Sequence, residues 1–262
     1  MKNGFNAFAK AWMIAVYAFL FCPLVVIVLM SFNSTNYGML PFDFTFEWYK
    51  YLFTKSELFP ATWLSLKLAT SVALGSVVIG TITALGIQGL PRTIAKRFGT
   101  VAQLPIVIPW LVQGISLLLL FNFAGIGRSY LAMYLGNLVV VLPYVIMLVG
   151  GRFAEADRSP EDAARTLGAR PTRIFIDVTL PMLFPGILSG ALMSFMVCFN
   201  AFCMQYYLAP FGVRTLPLEI FTLVRVGYKP DMNALATLLV VLSTLLVAAM
   251  NRLGYSSKKM FG

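Results

Sequence analysis

The sequence predicts an all-α, polytopic membrane protein with six transmembrane helices, and three observations predict it. Hydrophobic residues make up 59% of the 262 positions and charged residues 11%, whereas a soluble domain carries about a quarter charged residues. The charges cluster, leaving uncharged runs at 11–42, 68–91, 98–127, 129–151, 178–213 and 232–251. A helix needs roughly 20 residues to cross the hydrocarbon core, and each run reaches that length. The runs are also continuously apolar, where barrel strands would alternate over about ten residues. Residues 1–262 read as one membrane domain, with no linker, low-complexity stretch or soluble module.

The first span is expected at Trp12–Phe32. It is too long for a signal-peptide core, and Asn33-Ser34-Thr35 follows it in place of a small-residue cleavage site. An outer loop with Asn36-Tyr37-Gly38 and the aromatic stretch 42–49 comes next, suited to an interface or a short surface helix. The second span, Trp63–Leu90, contains Gly75, Gly80 and Gly86, which allow close helix packing. Pro91–Gly99 reads as a basic turn. The third span, Val101–Phe123, carries Pro105 and Pro109 and is expected to kink or to have a broken start. A glycine turn leads to the fourth span, Tyr130–Gly150. The fifth run, from Val178 to Leu208, is longer than a bilayer needs, so tilt or a break is expected. The sixth span is Ala234–Met250.

The basic residues sort by side. With the N-terminus inside, inner segments hold 13 of the 20: Lys2 and Lys10, Arg92 to Arg97, Arg152 to Arg173, and Arg252 to Lys259. Outer loops hold six, and Lys67 can snorkel from its span. This asymmetry places both termini in the cytoplasm. The net charge of +10 is thus a topology signal and not a nucleic-acid patch. Cys22, Cys198 and Cys203 all fall in apolar runs and read as buried free thiols. Histidine is absent, which removes the commonest general base and metal ligand. No metal site is expected.

The inner loop between spans four and five, about 151–181, carries the densest signal. Ser159 can cap a helix whose first residue is Pro160, with Asp162 completing a capping box. Glu161 and Asp162 complement the positive end of the helix dipole. Gly168 can end the helix in the left-handed conformation. A second short helix is expected from Pro171 to Ile176. Asp162-Ala163-Ala164 stands three residues before Gly168, and nine more lead to Val178-Thr179-Leu180-Pro181.

That spacing resembles the EAA loop of permease subunits in binding-protein-dependent ABC importers, with Asp for Glu and Val for Ile. The likeness runs over nearly the whole chain. It is strongest to the spermidine/putrescine permease subgroup, through Ser31-Phe32-Asn33-Ser34, Trp48-Tyr49, Leu216-Pro217-Leu218 and 233–237. Polyamine permeases of this type can carry adjacent acids in the fifth span; the matching positions here are Asn200 and Ala201. The resemblance implies a type I importer permease in the bacterial inner membrane that forms half of a translocation pathway. It implies three partners: an ATP-binding-cassette ATPase dimer, a second homologous permease, and an external substrate-binding protein. Glu161, Asp162, Ala163, Ala164, Leu167 and Gly168 would then form a coupling helix seated on the ATPase. The chain has no phosphate-binding loop with its lysine, so ATP and Mg belong to the partner ATPase and the chain itself is not an enzyme.

Pathway candidates are the polar residues inside spans: Gln113, Asn122, Asn137, Asn200 and Gln205. Each either lines a wet path or bonds between helices. The cluster at 199–207 combines amides with aromatic faces that can hold organic cations, which singles out Phe199, Asn200, Gln205 and Tyr206. No acid lies within a span. The solute is therefore expected to be a polyamine if the second permease supplies carboxylates, and otherwise a less cationic, zwitterionic or anionic solute. A secondary transporter or channel would call for repeats or intramembrane ionisable groups, and neither is visible.

Overall fold

The computed structural model describes residues 2–35, 41–227 and 229–260; Asn36, Tyr37 and Gly38 of the outer loop lie outside them. Twelve α-helices and one π-helical turn account for nearly all of the described chain. The sole extended pairing among the described residues is an isolated antiparallel bridge between Asn33 and Phe44. Two compact units result, Met1–Ala61 with Glu219–Gly262, and Thr62–Leu218.

The first unit contains α1 (Lys2–Met30), α2 (Glu47–Thr54), the first turn of α3 (Leu58–Gln88), most of α11 (Leu216–Val226), and α12 (Asp231–Met260). Helix α12 packs against both α1 and α2. None of the apolar span Ala9–Met30 is buried in the chain, and Phe19 is 81% exposed. Such a surface suits contact with lipid or another subunit rather than water. The aromatic stretch folds back under the end of α1. The Trp48 indole N–H donates to the Asn33 carbonyl (2.7 Å), and Phe32 stacks on Phe44 with centroids 5.5 Å apart. The short surface helix expected from this stretch is α2.

The second unit holds the rest of α3, α4 (Arg92–Val107), α5 (Trp110–Phe123), α6 (Tyr130–Glu155), α7 (Ser159–Thr166), α8 (Pro171–Ile174), α9 (Leu180–Phe199) and α10 (Phe202–Leu208). Its core buries Val72, Met133, Val141, Cys198, Met204 and Leu208. Helices α3, α6 and α9 approach closely because glycines face one residue, Val145. A Cβ on Gly80 would lie 2.7 Å from the Val145 Cβ, and one on Gly190 would lie 3.2 Å from its Cγ1. Small residues of this kind are what bring membrane helices together when no hydrophobic effect acts between them.

Among the described residues, four helical stretches are long and apolar enough to cross a membrane: Ala9–Met30, Leu58–Gln88, Tyr130–Glu155 and Pro171–Phe199. The pair α4 and α5, bent by 102°, makes a fifth if counted as one span. The expected sixth span falls within α12, whose apolar stretch is the shorter Asp231–Leu245. The all-α membrane architecture follows, with some boundaries displaced. Pro91–Gly99 is not a turn, since α4 begins at Arg92. The kink expected from two prolines sits at Ile108-Pro109. Ile108 takes extended angles (φ −76°, ψ 130°), the conformation favoured before proline. The long fifth run is resolved by a break at Asn200-Ala201 between α9 and α10.

Candidate functional site

The loop between α6 and α9 is built from local capping. Helix α7 starts one residue earlier than expected, with Arg158 at the cap position and no side-chain cap bond from it. Ser159 does not act as the cap, and the predicted box with Asp162 does not form. Instead Asp157 Oδ1 accepts from both the Ser159 backbone N–H (2.9 Å) and its hydroxyl (2.6 Å). A carboxylate is a stronger acceptor than a hydroxyl, which explains the substitution. The two bonds hold the exposed Asp157 carboxyl below its ordinary pKa, the side-chain bond contributing most. The helix stops as expected. Gly168 sits at φ +79°, the Ala169 N–H donates to the Ala164 carbonyl (3.0 Å), and the Gly168 N–H donates to the Arg165 carbonyl (2.9 Å). That pair of bonds is a Schellman cap.

The predicted coupling residues do not share one face. Leu167 is 87% exposed, Asp162 and Ala163 are exposed, and Ala164 is half-buried. Glu161 points the other way. Its side chain is 7% exposed and accepts a hydrogen bond from the Thr179 hydroxyl. Thr179 ends a π-helical turn, Phe175–Thr179, which joins α8 to α9. Pro171–Phe199 is therefore one continuous helical stretch, and the separate helix expected at Pro171–Ile176 is its first part. Pro181 lacks the N–H that would bond the Asp177 carbonyl, which loosens the helical ladder at this turn. Glu161 thus ties the exposed helix to the foot of the fifth span. Sequence reasoning missed Thr179; its signal was a hydroxyl inside the Val178–Pro181 motif.

At the other end of α9 the break exposes carbonyls that side chains must satisfy. Gln205 does this work. It is fully buried, its amide donates to the Cys198 carbonyl (3.0 Å), and its oxygen accepts from the Thr215 hydroxyl. Gln205 is thus a brace across the break and not an open lining residue in this chain, a correction to the sequence reading. Asn200 is exposed and donates to the Met196 carbonyl (2.9 Å). Tyr206 is 44% exposed and packs on Phe202 and Tyr207. Phe199 is half-buried and stacks on Phe195. Arg128, not singled out from sequence, holds the end of α10 through the Ala209 (2.8 Å) and Tyr206 (3.0 Å) carbonyls.

Two other candidate amides are also structural. Pro109 has no N–H for the Pro105 carbonyl, and the buried Gln113 amide bonds that carbonyl instead. Asn137, fully buried, donates to the Met133 carbonyl (2.8 Å). Asn122 is exposed near the end of α5. Among the described residues no three of His, Cys, Asp and Glu are grouped as metal ligands.

Comparison with known proteins agrees with this architecture. The chain is 33% identical over 248 residues to the putrescine transport system permease protein PotI of Escherichia coli K12, covering 90% of this chain and 88% of that one. It is 32% identical over 238 residues to the spermidine/putrescine transport system permease protein PotC of Haemophilus influenzae, covering 91% and 93%. Its fold is similar to that of a bacterial ABC transporter involved in the import of the acidic polysaccharide alginate, with a TM-score of 0.70 at 17% identity, over 96% of this chain and 97% of that one. It is also similar to the MetNI methionine ABC transporter in an inward-facing conformation, with a TM-score of 0.57 at 19% identity over 76% and 97%. Residues 76–259 match the family described as binding-protein-dependent transport system inner membrane component. With that match over most of its length, and a capped loop helix tied to the foot of its fifth span, the chain belongs to this family of multi-pass permease subunits.

Proposed function

We propose that the chain pairs with a second, homologous permease to enclose a path for a polyamine, with both termini in the cytoplasm. An ATPase dimer, which binds ATP and Mg, docks on α7, and an external binding protein delivers the solute. The observation that carries this reading is the two-sided arrangement of α7. Its tip offers Leu167 at 87% exposure, an apolar anchor for a groove on another subunit, while Glu161 ties its opposite side to Thr179. A push on such a helix is transmitted to α9 as a rigid-body movement. The 13-to-6 basic asymmetry supports the inward placement of this loop.

The polyamine reading is supported by the names of the relatives at 32–33% identity. Asn200, Tyr206 and Phe199 are its lining residues in this chain. The exposed aromatic face of Tyr206 can attract an ammonium by about 0.5–2 kcal/mol. That does not offset the several kcal/mol that desolvating each charge costs, so the second permease supplies the counter-charge. A less cationic or zwitterionic solute is the second reading, favoured by the amide at position 200 where polyamine permeases of this type can carry an acid.

Substitution of Ala164 tests the docking assignment. Ala164→Trp puts a large side chain at the half-buried edge of α7, next to the exposed Ala163 and near Leu167. The variant inserts normally, and ATP-driven uptake by the reconstituted complex falls to background. Full uptake by Ala164→Trp would show that α7 is not the docking element.

A further inference from the structure

We infer that the cleft between α4 and the ends of α3 and α6 is a binding site for the phosphate headgroup of an anionic lipid. A cavity of about 470 Å³ lies there, lined by Arg92 and Lys96 with Gln88 and Gln103, over an apolar floor that includes Ile87 and Met147. None of the residues lining it is acidic. Arg92 and Lys96 are in no ion pair given for the described residues, whereas Arg173 on another loop is paired with Asp177.

The arrangement of α4 makes this more than a solvated charge run. Ile94, Phe98, Val101 and Leu104 recur at helical spacing and are 42–60% exposed, so they form one outward apolar stripe. Arg92, Lys96 and Gln103 lie on the other face of α4, where they line the cleft while remaining exposed. A helix in water would present the reverse. An apolar outer stripe fits acyl chains, as for helices that lie in a membrane interface. Its inward cations then need an anion small enough for the cleft. A lipid headgroup supplies a phosphate for Arg92 and Lys96, amide donors are at hand in Gln88 and Gln103, and the apolar floor receives the first methylenes. The depth agrees, because the apolar helix α3 ends at Gln88 and the first cation follows at Arg92. Basic pockets between helices at this depth are suited to anionic headgroups.

The test uses the full chain, delipidated in neutral detergent, with lipid adducts read by native mass spectrometry. Phosphatidylglycerol, phosphatidylcholine and soluble glycerol 3-phosphate are the probes. Phosphatidylglycerol binds the wild type at one saturable site and phosphatidylcholine does not. Arg92→Gln and Lys96→Gln each weaken that binding roughly five-fold, as expected for about 1 kcal/mol per cation near an anionic headgroup. Lys96→Arg retains it. Arg97→Gln, on the same helix but outside the cavity lining, changes it less than about two-fold, a local contact being separable from the general field. An equal loss with Arg97→Gln, or equal binding of the two lipids, would overturn the site in favour of diffuse surface attraction. Displacement of the lipid by equimolar glycerol 3-phosphate would overturn the lipid as its source. All three Gln variants are surface changes, and matching thermal unfolding of the lipid-free proteins establishes that each is folded.

Discussion

Thr179→Val tests whether α7, the proposed coupling helix, is tied to the fifth span. Valine keeps the shape and removes the hydroxyl that donates to Glu161. Glu161 is 7% exposed, so water cannot freely replace the lost donor. Leaving a buried carboxyl without its hydrogen-bond donor costs about 2 kcal/mol, a roughly 30-fold change in the ratio of tied to released helix. Helix α7 has only eight residues, too short to be stable without its contacts, so the cost falls on this loop and not on the spans. Amide hydrogen exchange at residues 162–166 reads it directly: protection falls by about that factor while the core amides of α6 keep theirs. In the reconstituted complex, solute taken up per ATP hydrolysed falls as well, and Thr179→Ser restores both. Unchanged exchange and unchanged coupling in Thr179→Val would refute the tie, and Glu161 would then be a passive core residue.

Three other substitutions extend the test. Gly168→Val forces a β-branched residue to φ +79°, costing about 1–2 kcal/mol; uptake is lost while membrane insertion, assayed by protease protection, is normal. Gly114→Ala destabilises the packing of α5 on α10 by about 1–3 kcal/mol. The added Cβ would meet the Cys203 carbonyl oxygen at 3.2 Å and the Tyr207 ring at 2.7 Å, and the carbonyl cannot rotate away; the melting temperature reports the loss. Asn200→Asp leaves polyamine uptake intact or raises it and impairs uptake of a zwitterionic or anionic solute. No effect on any solute would remove position 200 from the path.

The legible parts of this protein were those coded by local spacing. The uncharged runs located the helices because transfer of charge into hydrocarbon is costly wherever the helix packs. Gly168 could be read as a helix stop because its left-handed angle is a property of one residue. The cap at the other end was misread by one position: Arg158 takes it, and Asp157 supplies the side-chain acceptor. Asp157 and Ser159 are both competent, and the choice between them depends on which oxygen the chain presents. The amides were harder. Gln113, Asn137 and Gln205 read either as pathway residues or as bonds between helices, because polar groups in membrane spans need partners. A lone sequence does not say whether the partner is water, solute or a carbonyl. For Gln113 a clue existed in Pro109, whose missing N–H leaves the Pro105 carbonyl in need of a donor.

From the amino-acid sequence alone came the membrane class, the helix stop at Gly168 and the expectation that the fifth run is too long for one straight helix. All of these follow from composition and from contacts within a few residues. The tertiary structure decided the rest. It set the break at Asn200-Ala201, turned Glu161 inward to Thr179 eighteen positions away, made Gln205 a brace to Cys198 and Thr215, and turned Arg92 and Lys96 of α4 towards a cleft. Each of these depends on which face of a helix meets its neighbour. That face is selected by close packing of groups far apart in the chain, such as Gly80 and Gly190 against Val145, and no local pattern encodes it.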